Sequence, residues 1–433
     1  MLRAAATTEP GRLRVLGAVL ALLVLALGTV AGLEAADRAS SAEDVVGRSQ
    51  PLSADAAAIY RSLADADSTA ATGFLAGIQE PAESRARYDR DLATASRLLV
   101  KAAASTDGSG ESAREITALN ELLPRYAGLV ERARAANRQG LPLGGAYLRY
   151  ANQEMTTRLL PAAERLYAAE TARLHQDDDE ARAWPYLALG AGVLALGVLV
   201  WAQRREYRRT NRVFSRGLLA ATAATVVVLL WLAGAHTVAR SGLGSAQAEG
   251  QRSLQLLNEA RISSLKARAN ENLTQVARGA VLTEDGKDDK YEAEYARGMT
   301  ALADALGRAT RFADDEAGRA PLAEATARVA EWRERHAAAR KLGEAGDYQG
   351  ALDRIIGPKG AGPKEAEQSA GYSFDQVDAA LERALAHEQD EFTRSARGAV
   401  DALTGLPLGA AALGALGALG AVLGVNRRLA EYR

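Results

Sequence analysis

The chain has no cysteine, which excludes disulfides, iron–sulfur clusters and thiol catalysis together. Histidine is almost as scarce: His175, His236, His336 and His387 are the only four, and no two are close in sequence. Aromatic residues make up 5% and strand-forming runs are few, so a chain rich in Ala, Arg, Glu and Gly defaults to helix. Neither sign of charge is in excess. Lys and Arg number 53 against 54 Asp and Glu, a formal net charge of −1, so no global field attracts nucleic acid. No glycine-rich phosphate loop, Gly-x-Ser-x-Gly elbow or HExxH pair occurs. We therefore expect no enzymatic activity, no cofactor and no metal.

What the 433 residues do contain is four long uncharged runs, at 15–33, 185–203, 217–239 and 402–425. Each is about the length a helix needs to cross a bilayer, roughly 20 residues. Soluble core helices rarely stay uncharged on every face for so long. The first run is longer than the apolar region of a usual secretion signal and reads as a retained anchor. Lys and Arg beside the spans then set the topology. Arg3, Arg12 and Arg14 precede the first span. Arg204, Arg205, Arg208, Arg209, Arg212 and Arg216 crowd the short loop after the second, and Arg427, Arg428 and Arg433 follow the fourth. Four spans put all three segments (1–14, 204–216 and 426–433) on the cytoplasmic side, and 34–184 and 240–401 outside. The arginine run is explained by orientation before any partner is invoked.

The two halves echo each other. ALGVLVWAQRR, ending at Arg205, lines up with ALGAVLGVNRR, ending at Arg428, and Pro185 and Pro407 stand at corresponding span entries. GLVERARAANRQG from Gly128 resembles EWRERHAAARKLG from Glu331, and GGAYLR from Gly144 resembles QGALDR from Gln349. Heptad spacing places Tyr60, Leu63, Asp67, Ala70, Phe74 and Gly77 along one seam, and Ile262, Leu265, Ala269, Asn272, Val276 and Gly279 along another. Further periodic stretches run at 85–104, 112–139 and 145–183, and at 288–313, 316–343 and 365–401. Breakers separate them, among them Glu80–Pro81, TDGSG from Thr106 and PKGAGPK from Pro358. The expected fold is an all-α membrane protein with four transmembrane helices. Two extracytoplasmic four-helix bundles complete it, from a duplicated span–bundle–span unit.

Candidate sites are few. His175, Asp178 and Asp179 share a helical face, but a solvated acidic helix end explains them. His236 stands near the outer end of the third span, where an interfacial histidine stays hydrated. Asp65 and Asp67, with Arg61 nearby, are more informative: Asp67 occupies a seam position, and its burial demands a partner. It is either an internal register device or a ligand or partner contact. Gly28 with Gly32, and Gly420 with Gly424, form GxxxG faces for close helix packing, within the chain or between two copies of a homodimer. The cytoplasmic handles are Arg204, Arg205, Tyr207, Arg208, Arg209 and Arg212 in the loop, and Arg427, Arg428 and Tyr432 in the tail. They also suit anionic lipid headgroups.

One bundle between two spans resembles the ectodomain of chemoreceptor-type bacterial sensors. The phrases YRSLADADSTAATGFLAG from Tyr60, ESRARYDRDLATA from Glu83 and YLRYANQEMTTRLLPAAERLYAAE from Tyr147 resemble the actinobacterial four-span GlnX family. That resemblance covers nearly the whole chain. It implies a relay in which a lipoprotein, GlnH, senses aspartate or glutamate outside and serine/threonine protein kinase G responds inside. A membrane scaffold or ABC-transporter accessory, and a direct small-ligand receptor, are the alternatives. A transporter is disfavoured, because the spans lack paired charges.

Overall fold

The computed structural model describes residues 9–78, 80–106, 110–210, 216–245, 250–358 and 363–430. Among them every named element is helical, and a lone bridge pairs Leu282 with Asp289. The helices are α1 (Glu9–Asp44), α2 (Gln50–Leu75), α3 (Ala82–Ser105), α4 (Glu111–Arg138), α5 (Leu143–Glu154), α6 (Leu160–Arg182), α7 (Tyr186–Thr210) and α8 (Arg216–Ser245). The second half continues with α9 (Arg252–Ala277), α10 (Lys290–Ala309), α11 (Glu316–Glu344), α12 (Tyr348–Ile356), α13 (Pro363–Ala366), α14 (Ala370–Leu403) and α15 (Leu406–Ala430). π-helical turns at Val45–Ser49 and Met155–Leu159 join α1 to α2 and α5 to α6. The breakers fall between helices as their chemistry requires: Gly77, Gly110, Gly140, Gly279 and Gly357 all have positive φ.

Four helical stretches are long and apolar enough to cross a membrane: Gly11–Leu75, Leu143–Arg208, Arg216–Gly244 and Ala370–Arg427. The protein is thus a multi-pass, all-α membrane protein. Its chain divides into two units.

The first unit holds Met1–Arg48, His175–Ser245 and Arg394–Arg433. Here α15 packs along α1 and α8, while α7 packs along the same two helices. Between helices in lipid the attraction comes from close van der Waals contact, so small residues mark the seams. A Cβ built on Gly28 would stand 2.6 Å from the Gly414 Cα, and one on Gly32 would stand 3.0 Å from the Pro407 carbonyl. On the other side of α15, Gly217 lies against the backbone of Gly420 and Gly424. Side chains just beyond the apolar segments tie the ends. Glu34 accepts the Ala188 N–H at 2.8 Å, capping the start of α7. Arg38 donates to the Ala183 carbonyl at 3.2 Å, and Arg240 to that of Arg182 at 2.8 Å.

The second unit holds Ser49–Leu174 and Ala246–Thr393. The sequence reading expects one bundle per segment; the structure joins both segments in one unit with a continuous core. The reason lies in α2 and α9. Sixteen of the 26 residues of α2 are buried, and sixteen of the 26 of α9, against four of the 24 of α3. A helix buried on more than one face needs neighbours on more than one side. Those neighbours include each other: α2 packs on α9, with α3 laid on α2 and α10 on α9. Asn272 Nδ2 donates to Thr72 Oγ1 at 2.8 Å, Lys266 Nζ to Tyr60 Oη at 2.9 Å, and Arg61 to the Asn258 side-chain carbonyl. These polar contacts fix the register of a seam otherwise made largely of alanine.

Candidate functional site

Three polar residues on one stretch of α2 point in three directions. Arg61 donates to Asn258 and lines a cavity of about 340 Å³, together with Tyr167, Gln251 and Arg261. Burial and the neighbouring Arg261 push its guanidinium down to about 10. Asp65 turns towards α3 and pairs with Arg87 at 2.9 Å. Arg87 also reaches Asp375 at 3.4 Å and Asp378 at 3.5 Å on α14, and Asp378 is held at 2.7 Å by Arg261 of α9. This network binds four helices drawn from both halves. Beside it, burial and the charge of Asp65 push the Asp91 carboxyl up to about 8.

Asp67 is different. It is 5% exposed and accepts a hydrogen bond from Asn152 Nδ2 of α5 at 2.7 Å, with the Tyr126 hydroxyl as a second donor beside it. No ion pair reaches it among the described residues. Burial pushes its carboxyl up to about 6, with the hydrogen bonds from Asn152 and Tyr126 working the other way. It lines a cavity of about 480 Å³, walled by α2, α5, the following π-turn, α9 and α10. Asn152, Thr156, Lys266, Asn270 and Tyr291 share that wall. Lys266 likewise has no ion pair among the described residues, and burial lowers its ammonium pKa.

A third polar centre escapes a sequence reading. Glu271 of α9 is 0% exposed and sits within hydrogen-bond reach of three groups. Arg268 pairs with it at 2.6 Å, Trp332 Nε1 donates at 3.0 Å, and His336 Nδ1 lies at 3.0 Å. His336 continues through Nε2 to Glu292 at 3.0 Å and stacks on Tyr295 with ring centroids 3.8 Å apart. Although burial works against the charged form, the carboxylates of Glu271 and Glu292 raise the imidazole to about 9. Glu271 in turn is lowered: burial pushes it up, and Arg268 and His336 outweigh that. The partners lie 61 and 65 residues away from Glu271, so no local pattern announces them.

The remaining sequence candidates fall in the first unit. Arg204, Tyr207, Arg208 and Arg427 are exposed, Arg205 lies 5.3 Å from the Trp201 ring centroid, and Arg209 and Arg428 belong to α7 and α15. Arg212 and Tyr432 lie outside the described residues. Gln203, among these arginines, donates to Thr222 Oγ1 at 2.7 Å and ties α7 to α8. Asp178, from the acidic cluster after His175, pairs with Arg182 at 3.3 Å. His236 lies 5.0 Å from Trp184 between ring centroids.

One comparison with known proteins is positive. Residues 41–179 match the family described as an actinobacterial sensor domain. This segment is similar to a sensor domain. The match spans less than half of the chain, from the end of α1 through most of α6, and includes Arg61, Asp65, Asp67 and Asn152. No curated protein and no solved structure matches.

Proposed function

We propose that this protein is a non-enzymatic transmembrane sensor and signal relay. The observation that carries the reading is the sensor-domain match over 41–179, joined in one chain to four helices able to span a membrane. The positive segments 1–14, 204–216 and 426–433 place both termini and the arginine loop in the cytoplasm, and both long segments outside. An amino-acid-loaded solute-binding lipoprotein docks on the second unit and favours one of two helix arrangements. The helices α6 and α14 each contribute residues to both units, so a displacement along them reaches the membrane helices. Arg204, Arg205, Tyr207, Arg427 and their neighbours then present the change to a cytoplasmic serine/threonine kinase. The resemblance to the GlnX family supports these partners.

Affinity purification from native membranes, with and without aspartate or glutamate, tests the relay. Recovery of a lipoprotein and a soluble kinase supports it. Finding neither while ABC permease subunits co-purify replaces it with the accessory reading. The absence of native cysteine allows a direct readout of movement. A Cβ on Gly32 stands 3.7 Å from that of Ala411, within disulfide range. Cross-linking of a Gly32→Cys, Ala411→Cys pair should change when the stimulus binds; an unchanged rate with the stimulus bound argues against helix movement there.

A further inference from the structure

Asp67 and Lys266, of opposite sign, both line the cavity of about 480 Å³ in the second unit, and neither has an ion-pair partner among the described residues. Asp67 has the Asn152 amide at 2.7 Å and the Tyr126 hydroxyl, and no cation within ion-pair distance among the described residues. Lys266 comes from α9, has Tyr60 Oη at 2.9 Å and its ring at 5.3 Å, and has no anion within ion-pair distance among the described residues. No ion pair joins the two to each other across the space. Taking either charge out of water is costly, and elsewhere in this unit the cost is met by partners: Arg268 with Glu271, and Arg87 with Asp65. Glu294 and Arg297 on the α10 wall pair at 2.7 Å, and Lys290 and Arg297 are exposed to solvent. Glu164 and Glu294 act on Lys266 only from beyond ion-pair distance. An apolar occupant would leave both charges desolvated. A simple anion meets Asp67, and a simple cation meets Lys266. The occupant that satisfies both carries one charge of each sign. The volume lies in the range of small-molecule pockets, and Asn270, Thr156 and Tyr291 add the few polar groups that orient a ligand.

We propose that this cavity binds a small zwitterion of the amino-acid class, its ammonium on Asp67 and Asn152 and its carboxylate on Lys266. The site gives the proposed sensor a ligand of its own, and its role rests on that reading. In the test, the full-length protein in nanodiscs is titrated with the free proteinogenic amino acids, one at a time, and thermal unfolding is followed. At least one should raise the midpoint. The N-acetyl and methyl-ester derivatives of that amino acid, each lacking one charge, should not. Asp67→Asn and Lys266→Met should each weaken binding by about ten- to a hundredfold, the effect of losing one charge-assisted contact. Asp67→Asn keeps the shape of the side chain and an acceptor for Asn152, so lost binding there is not lost folding. The proposal is overturned if no amino acid shifts the wild type, if either derivative binds as well as the parent, or if both variants keep wild-type affinity. Binding with no change in Gly32→Cys, Ala411→Cys cross-linking counts against the sensor reading and leaves the site standing. Stimulus-dependent cross-linking with no amino acid bound does the reverse.

Discussion

Two buried carboxylates in the second unit, Asp67 and Glu271, received opposite treatment from the same fold. Both lie on the paired central helices α2 and α9, and both are nearly inaccessible, at 5% and 0% exposure. Glu271 has a guanidinium, an imidazole and an indole N–H around it, and its charged form is favoured. Asp67 has two neutral donors, an amide and a tyrosine hydroxyl, and a cavity, and its charged form is disfavoured. A fold that only needed a polar register pin could have used the first arrangement twice. The difference is between a carboxylate tied by cations and one bonded only by neutral donors beside a cavity, which is where the proposed ligand would sit.

The largest effect should come from breaking the satisfied site. Glu271→Ala leaves Arg268 and His336 buried without their shared anion, and the second unit should lose about 3–5 kcal/mol. Denaturant unfolding of the full-length protein measures it; a loss below about 1 kcal/mol would mean the cluster is looser than its geometry. Asp67→Asn should do the opposite. The raised carboxyl means that ionised Asp67 costs stability at neutral pH, and removing the charge should return on the order of 2 kcal/mol. If Asp67→Asn destabilises by as much as Glu271→Ala, the two carboxylates are alike and the contrast fails.

This contrast was half legible in the sequence. The four apolar runs were plain because length without charge has few soluble explanations, and Pro and Gly clusters divided the remainder into helices. Asp67 stood out because a charge on the seam of Tyr60, Leu63 and Ala70 conflicts with its surroundings. Glu271 did not. It lies off the seam of Leu265, Ala269 and Asn272, in a stretch (KARANENL) that reads as a solvated face. Only the second buried face of α9, created by helices from far along the chain, turns that stretch inward. The same long-range burial explains why the sequence divides the helices into two bundles and the structure into one unit. Periodicity reports that a helix has one buried face, and is nearly silent when it has two.

A pH series separates the two sites without removing either. For His336 the folded value, about 9, lies above the ordinary 6.5, so its contribution is complete below pH 6.5 and is lost as pH rises through 9. Glu271 is lowered, so its contribution is present above pH 4.5 and is lost as pH falls. Asp67 is raised from 3.8 to about 6, so the folded state binds the extra proton in that window and stability falls as pH rises across it. Asp67→Asn should therefore flatten the profile between pH 4 and 6, and His336→Gln between 6.5 and 9. A single variant that flattens both windows would show that the sites are coupled.

The smallest effects come from removing one neutral donor from each carboxylate. Trp332→Phe deletes the indole N–H at Glu271, and the loss should be about 1.5–3 kcal/mol, the range for a hydrogen bond to a charged group. Arg268 and His336 remain, so Glu271 should stay ionised at neutral pH. Asn152→Leu deletes the amide hydrogen bond at Asp67 and leaves the Tyr126 hydroxyl. The similar loss here should be accompanied by a change of state, because with the larger of its two opposing hydrogen bonds gone burial drives the carboxyl above 6. Infrared spectroscopy of the carboxyl stretch at neutral pH, with Asp67→Asn as the blank, distinguishes the outcomes. A protonated acid in Asn152→Leu beside an ionised Glu271 in Trp332→Phe is the expected pair. Two ionised carboxylates would mean that the cavity already supplies Asp67 with solvent, and that water can do there what the cation does for Glu271.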